Sequence, residues 1–513
     1  MRISLSIVAA FLCVFGIAQS PGQPRPSGPG SPIPVPNVIE QMHAPEVSKD
    51  WVETKHVWRG ATASIPYTAT CGFVPIKNDL TEETEAEMFF VAYTKDAATP
   101  STRPVVFAFN GGPGSSSIWL HVGALGPRRA KMNDDGSLPA PPFEIVDNQE
   151  SWLPYADVVM VDAVGTGYSR TTKPEFDHNF YGLQQDLAAF TNFIRQYLSE
   201  AQRWRSPVFV AGESYGGFRV AGLAQTLLSE GIAVNGIISI SGVMNFGTID
   251  FQKDNDLPFI SFLPAECATA IYHHKVSSAD FNQTVKECEA FASGEYAAAL
   301  MKGNGLTSAE RKQVAAKISS FIGVSPLYVE RSNLRVTAAG FRTELLRDTG
   351  DIVGRYDARL IGHNSSGVSQ TADYDPSNAA VTPVFVSAFN DYIASELNFH
   401  TSEKYRSATF REIPSWDFGN DGETPDTSEL LRRAMEQNPH MKVMLCCSWY
   451  DLACPYFGMR YVMDHLGEQE KLKKNIRFRY FKAGHMVYID TPSRMKFAQD
   501  VGEFIHDATG PGR

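Results

Sequence analysis

Ser214, Asp451 and His485 stand in that order along a 513-residue chain, within the stretches GESYGG, SWYDLACP and FKAGHMVYIDTP. Together they could carry out acyl transfer. A serine hydroxyl becomes a useful nucleophile when a histidine takes its proton, and a carboxylate on the other ring nitrogen fixes the tautomer and stabilises the imidazolium. GESYGG fits G-x-S-x-G, whose small residues let a strand turn sharply into a helix and expose the serine. The pentapeptide alone arises easily by chance, but here apolar SPVFVA precedes it and an amphipathic helix pattern, FRVAGLAQTLL, follows. Asp451 and His485 each fall just past an apolar run, which outweighs the plainer readings of a turn-capping aspartate and a satisfied core histidine. The chemistry also needs two N–H donors for a tetrahedral oxyanion, and the backbone amides of Gly112, in FNGGPGSSS, and of Tyr215 are the candidates. That glycine-rich loop lacks the lysine of a P-loop and the spacing of a dinucleotide fingerprint.

Positioning these groups falls to short apolar strands that alternate with helical stretches, the pattern of an α/β fold with a mostly parallel central sheet. RPVVFAF runs into NGGPGSSS, ADVVMVD into AVGTGYSR and SPVFVAG into ESYGGFRV, so three glycine-rich loops reach the carboxyl edge of the sheet, where ligands bind in such folds. GIISISG, KVMLCCSWYD and IRFRYFKAGH read as further strands, and SRMKFAQDVGEFIHDA as a closing helix. The strand logic lapses over residues 245–432, which read as an inserted, largely helical cap between core segments 45–244 and 433–513. β-branched alternation near the start of the first core segment suggests an opening hairpin or meander. Residues 1–18 have the early arginine, apolar stretch and small residues of a signal peptide, and residues 19–44 form a Pro/Gly-rich leader. A secreted or periplasmic protein is therefore expected, with no membrane partner after cleavage. Export would allow Cys71, Cys267, Cys288, Cys446, Cys447 and Cys454 to pair, in a connectivity the sequence does not choose. With a formal charge of −11, 43% hydrophobic residues and no basic runs, the chain is globular and is not built for nucleic acid. No metal or cofactor spacing occurs, so none is expected.

The order Ser, Asp, His is that of an α/β-hydrolase. NGGPGSSS, DAVGTGYSR, GESYGG, SWYDLACP and GHMVYIDTP together resemble the serine carboxypeptidase family, acid-active α/β-hydrolases that remove a C-terminal residue from a peptide. The resemblance covers roughly residues 100–505. It implies Ser214, Asp451 and His485 as the triad, Gly112 and Tyr215 as oxyanion donors, and Asn110, Gly111 and Glu213 as a clamp for the terminal carboxylate of a peptide substrate. The clamp is chemically sensible: Asn110 and Gly111 carry N–H donors, whereas Glu213 can donate to a carboxylate only when a proton is shared between them, which implies acid operation. A Glu213 that only favours the helix dipole is the plainer reading. An esterase or acyltransferase could use the same triad, and a binding protein could retain the fold without it.

The chain departs from the family pattern at Ser115, where NGGPGCSS would have a cysteine and its disulfide, and at Ala124, where ELGP would have a glutamate beside the clamp acid. Arg128 and Arg129 could add positive charge near the site, although exposed arginines are the plainer reading. Cys454 matches a cysteine found near the pocket of some members. Asn282 and Asn364 fit the glycosylation pattern, a motif common by chance.

Overall fold

Apolar runs that end at glycines become adjacent strands of one sheet. The computed structural model describes residues 51–60, 63–99, 102–409, 415–419, 422–467 and 469–510. The expected signal peptide and leader lie outside them. In chain order the strands are β1 (Val52–Arg59), β2 (Ser64–Lys77), β3 (Thr84–Lys95), β4 (Val105–Phe109), β5 (Arg128–Ala130), β6 (Ile145–Asp147), β7 (Asp157–Val161), β8 (Arg170–Thr171), β9 (Val208–Glu213), β10 (Gly236–Ile240), β11 (Asp351–Val353), β12 (Ile361–His363), β13 (Lys442–Ser448) and β14 (Ile476–Phe481). Ten of them form the main sheet, in the order β1-β2-β3-β7-β4-β9-β10-β13-β14 with β8 on β3. From β7 to β14 every neighbour is parallel. β1, β2 and β3 form the expected antiparallel meander, joined to the rest through an antiparallel β3-β7 pair.

Alternation along each strand explains the two layers that cover the sheet. Val105, Phe107 and Phe109 of β4 enter one apolar cluster, and Val106 and Ala108 enter the other. Because both faces are covered, the central parallel strands β4, β7 and β10 are buried along their whole length and largely apolar. Helices Leu183–Glu200 and Tyr215–Ser229 contribute to the first cluster, and the terminal helix Thr491–Thr509 to the second. This is an α/β-hydrolase fold.

Residues 245–432 are in large part helical, but their helices divide between the layers. Leu257–Tyr272, Phe281–Phe291, Ser308–Ile322 and Ala338–Glu344 bury their apolar sides in the first cluster. Helix Pro376–Ser395 packs into the second, with the Phe385 ring 5.6 Å from that of Trp119 and the Phe389 ring 5.4 Å from that of His121. Helix Ser428–Gln437 crosses residue 432 and packs on Tyr215–Ser229. All six cysteines from Cys71 to Cys454 are buried and free.

A buried ion pair locks the layer behind the central strands. Arg219 on helix Tyr215–Ser229 donates to Asp186 on helix Leu183–Glu200 at 2.7 and 3.1 Å, and to the Asn110 carbonyl at 2.6 Å. Its guanidinium also lies 4.5 Å from the Phe190 ring centroid. Two helices and the loop after β4 thereby share one cation. Arg219→Met should leave Asp186 buried without a counter-charge and lower stability in urea unfolding by about 3–5 kcal/mol. Restoring balance with Asp186→Leu in the same chain should recover most of the loss, whereas a loss under about 1 kcal/mol for the single variant would show that the pair does not hold this layer.

Candidate active site

β9 ends at Glu213, helix Tyr215–Ser229 begins at Tyr215, and Ser214 between them has φ 64° and ψ −125°. That conformation is costly for a residue with a side chain. Its neighbours make it possible by being glycine. A Cβ at Gly212 would lie 2.2 Å from the Gly216 carbonyl oxygen, and one at Gly111 would lie 2.4 Å from the Tyr215 nitrogen. The Ser214 N–H donates to the Ile240 carbonyl at 3.0 Å, and the Ser214 carbonyl accepts from the Gly217 N–H at 2.8 Å. These bonds fix the turn from both sides.

Tyr215 occupies the first helical position, where an N–H has no acceptor within its own helix. The loop after β4 passes directly over this amide, and the next residue, Gly112, has φ 110°, a region that favours glycine. The structure thus brings the two sequence-nominated oxyanion donors to one corner, beside Ser214.

His485 Nδ1 is 2.7 Å from Asp451 Oδ2. The other carboxylate oxygen, Oδ1, accepts from the N–H groups of Ala453 at 2.7 Å and Cys454 at 2.9 Å, so Asp451 is held from both sides. This assigns the proton to Nδ1 and leaves Nε2 as an acceptor. The His485 N–H donates to the Tyr356 carbonyl, and the Tyr356 ring lies 5.3 Å from the imidazole. Burial works against a charged imidazole, but the Asp451 charge and hydrogen bond, with Glu213, outweigh it and raise the His485 pKa. The Ser214 hydroxyl lies against the Cys454 thiol. Nucleophile–base bonds are often long or misaligned before substrate binds.

Glu213 Oε1 accepts from Asn110 Nδ2 at 2.9 Å, while Asn110 Oδ1 accepts from the Leu120 N–H at 3.0 Å, which fixes the orientation of the amide. Burial pushes the Glu213 pKa up to about 7, against the lowering effects of His485, Tyr488 and Asn110. The Tyr488 hydroxyl lies close enough to influence that carboxyl, yet neither Glu213 Oε2 nor Tyr488 Oη completes a well-aligned hydrogen bond.

The other positions singled out from the sequence find definite partners or surroundings in the structure. Arg128 is committed to Asp147 at 2.5 Å and Glu396 at 2.7 Å, so its charge is already neutralised locally. Ser115 Oγ accepts from Trp119 Nε1 at 2.8 Å. Ala124 is buried and its carbonyl accepts from Asn148 Nδ2 at 2.7 Å. The Asn364 side chain is buried and donates to the carbonyls of Ser366 and Thr371, whereas Asn282 is exposed. Tyr488, Tyr356 and Arg219 were not singled out from the sequence. Tyr488 and Arg219 lie within or just after the motif blocks, but nothing in their spacing distinguishes them from core residues.

Residues 60–499 match the serine carboxypeptidase family, and the chain belongs to it. Serine carboxypeptidase-like 2 of Arabidopsis thaliana is 27% identical over 192 residues, 36% of this chain and 41% of the relative. The pheromone-processing carboxypeptidase KEX1 of Puccinia graminis f. sp. tritici is 30% identical over 171 residues, 33% of this chain and 24% of the relative. The chain therefore matches less than half the length of these relatives. A solved carboxyl esterase from Bacillus coagulans aligns over 86% of this chain and 99% of its own at 12% identity and a TM-score of 0.37, too loose a likeness to bear on function.

The elevated Glu213 pKa makes stability depend on pH. A carboxyl that titrates near 4.5 when unfolded and near 7 when folded stabilises the fold fully below the lower value, and the contribution is lost as pH rises through the higher one. Urea unfolding of the wild type should therefore lose up to about 3 kcal/mol more across that window than Glu213→Gln does. Parallel stability–pH curves for the two proteins would contradict the shift.

Proposed function

We propose that the protein is an exported serine carboxypeptidase that releases C-terminal residues from peptides through an acyl-enzyme on Ser214. The observation that carries this reading is the adjacency of two functions in consecutive residues. Glu213, buried with one carboxyl oxygen that completes no well-aligned hydrogen bond, immediately precedes Ser214 at the elbow. A group suited to a peptide's free carboxylate is thus tied by a single peptide bond to the group that would attack the scissile carbonyl.

In the reaction so read, Ser214 Oγ attacks the carbonyl carbon while His485 Nε2 takes its proton, and the N–H groups of Gly112 and Tyr215 receive the oxyanion. Asp451 stabilises the imidazolium. Collapse breaks the C–N bond, and the imidazolium returns its proton to the leaving amine, which departs as the free C-terminal amino acid. Water, deprotonated by His485, then attacks the ester, and its proton passes to Ser214 as the acyl group leaves. The terminal carboxylate is held by Asn110, Gly111 and Glu213. An ionised Glu213 would oppose it with a like charge, so binding favours the protonated form, while the chemistry requires neutral His485. Because both groups have raised pKa values, the two requirements oppose each other, and kcat/KM should follow a bell-shaped pH profile. The apolar segment after Arg2 supports export.

Incubation with a mixed pool of peptides, followed by mass analysis of the products, tests the reading. The wild type should shorten peptides from the C-terminus, Ser214→Ala should be slower by several orders of magnitude, and a fluorophosphonate should label Ser214 stoichiometrically. Amidating the terminal carboxyl of a good substrate should weaken kcat/KM at acid pH by about 1–3 kcal/mol. Turnover of simple esters without any peptide cleavage would favour an esterase or acyltransferase instead.

A further inference from the structure

Two buried polar atoms at the site, Glu213 Oε2 and Tyr488 Oη, complete no well-aligned hydrogen bond among the described residues although their groups lie within reach of each other, on residues only 3% and 1% exposed. Leaving such groups unpaired is costly, and a pair of them beside a nucleophile suggests that a ligand completes their bonding. We propose that Tyr488 is a substrate-binding residue whose hydroxyl donates a hydrogen bond to the substrate's terminal carboxylate, alongside Asn110, Gly111 and Glu213. This inference rests on the carboxylate-clamp reading of the site.

Tyr488 is placed for that task by its backbone and by its ring. It lies in the short 3-10 turn Val487–Ile489, three residues after His485, and its carbonyl accepts from Arg494 Nη1 at 3.1 Å. The ring rests on Gly123, where a Cβ would come within 2.4 Å of Tyr488 Cε2 and 2.7 Å of Cδ2. Gly123 belongs to the turn His121–Leu125, directly after Leu120, whose N–H orients Asn110. A glycine at this point therefore admits the aromatic ring to the clamp. The next residue, Ala124, adds no polar side chain.

The proton arrangement is consistent with a row of donors. Asn110 donates to Glu213 Oε1, which assigns the acid proton of a neutral Glu213 to Oε2, the oxygen without a well-aligned hydrogen bond. His485 and Asp451 act on Glu213 as well, and the ionisable side chains of Cys454 and Tyr356 lie close enough to feel its charge. Burial, followed by the Glu213 charge, raises the Tyr488 pKa well above its ordinary value, so the phenol keeps its proton wherever the enzyme would work. Tyr488 supplies a donor that does not titrate, and Glu213 supplies one that does.

Tyr488→Phe tests this directly. For a peptide with a free carboxyl, KM should rise about tenfold to a hundredfold with little change in kcat, and the preference for the acid over its amide should fall by the same factor. Thermal stability should change little, because the hydroxyl removed completes no well-aligned hydrogen bond among the described residues, and fluorophosphonate labelling of Ser214 should remain stoichiometric. Gly123→Ala, whose methyl would meet the ring, should weaken peptide binding in the same direction. If the wild type prefers the acid and Tyr488→Phe retains both that preference and KM, the inference is overturned while the clamp stands. Lower stability with an unchanged preference would also overturn it, by assigning the hydroxyl to the fold. A wild type that cleaves acid and amide equally well would overturn the clamp itself and this inference with it.

Discussion

Close passage of three backbones at the end of β9 is the constraint on which the rest of the site depends. Ser214 can hold φ 64° only while Gly212 and Gly216 approach one another and Gly111 lies over the Tyr215 amide, positions at which a methyl group would overlap backbone atoms. Strain of this kind costs about 1–3 kcal/mol and persists where surrounding bonds over-determine it. Here the Ile240 carbonyl and the Gly217 amide supply those bonds. Because the chain changes direction between Glu213 and Tyr215, three consecutive residues present a carboxyl, a hydroxyl and a helix-terminal N–H to one corner. Each glycine is thus part of the chemistry although none reacts.

The electrostatics of that corner depend on burial. Asp451 and His485 are almost fully enclosed and satisfy each other through one 2.7 Å hydrogen bond, so the imidazole gains proton affinity despite its dry surroundings. Glu213 has no cation of comparable strength, and burial raises its pKa instead. The same low-polarity environment thus acts on two differently partnered groups: the histidine paired with Asp451 gains proton affinity, and so does Glu213, which burial makes readily neutral. Arg219 cannot serve Glu213 because it is consumed by Asp186 and the Asn110 carbonyl. By anchoring that carbonyl, the ion pair fixes the loop that carries Asn110, Gly111 and Gly112.

Much of this was readable because the informative features are local. An apolar run followed by glycines marks β4, β7 and β9 with their turns, and G-x-S-x-G marks the elbow, since each depends on residues within about ten positions. The parallel class follows from the alternation of such strands with helices. Contacts between distant segments were not readable. Tyr488 looks like another apolar residue in GHMVYIDTP until Gly123, far away in sequence, is seen beneath its ring. Arg128 looks like a free charge until Asp147 and Glu396 meet it. The region 245–432 reads as one insertion because the strand pattern lapses throughout it, yet helix Pro376–Ser395 lies in a different apolar cluster from the helices before Glu344. Amphipathic patterns say that a helix has an apolar face and do not say which layer will receive it.

The central claim is that Glu213 reads the carboxylate of a peptide held at Ser214, and that it does so as a neutral acid. KM for one peptide, measured against pH in the wild type and in Glu213→Gln, tests it most directly. If the claim is right, the wild-type KM is low in acid and climbs as pH passes about 7, where Glu213 loses its proton, while the glutamine variant, which donates at any pH, has a flatter profile. Superimposable profiles for the two proteins would contradict it.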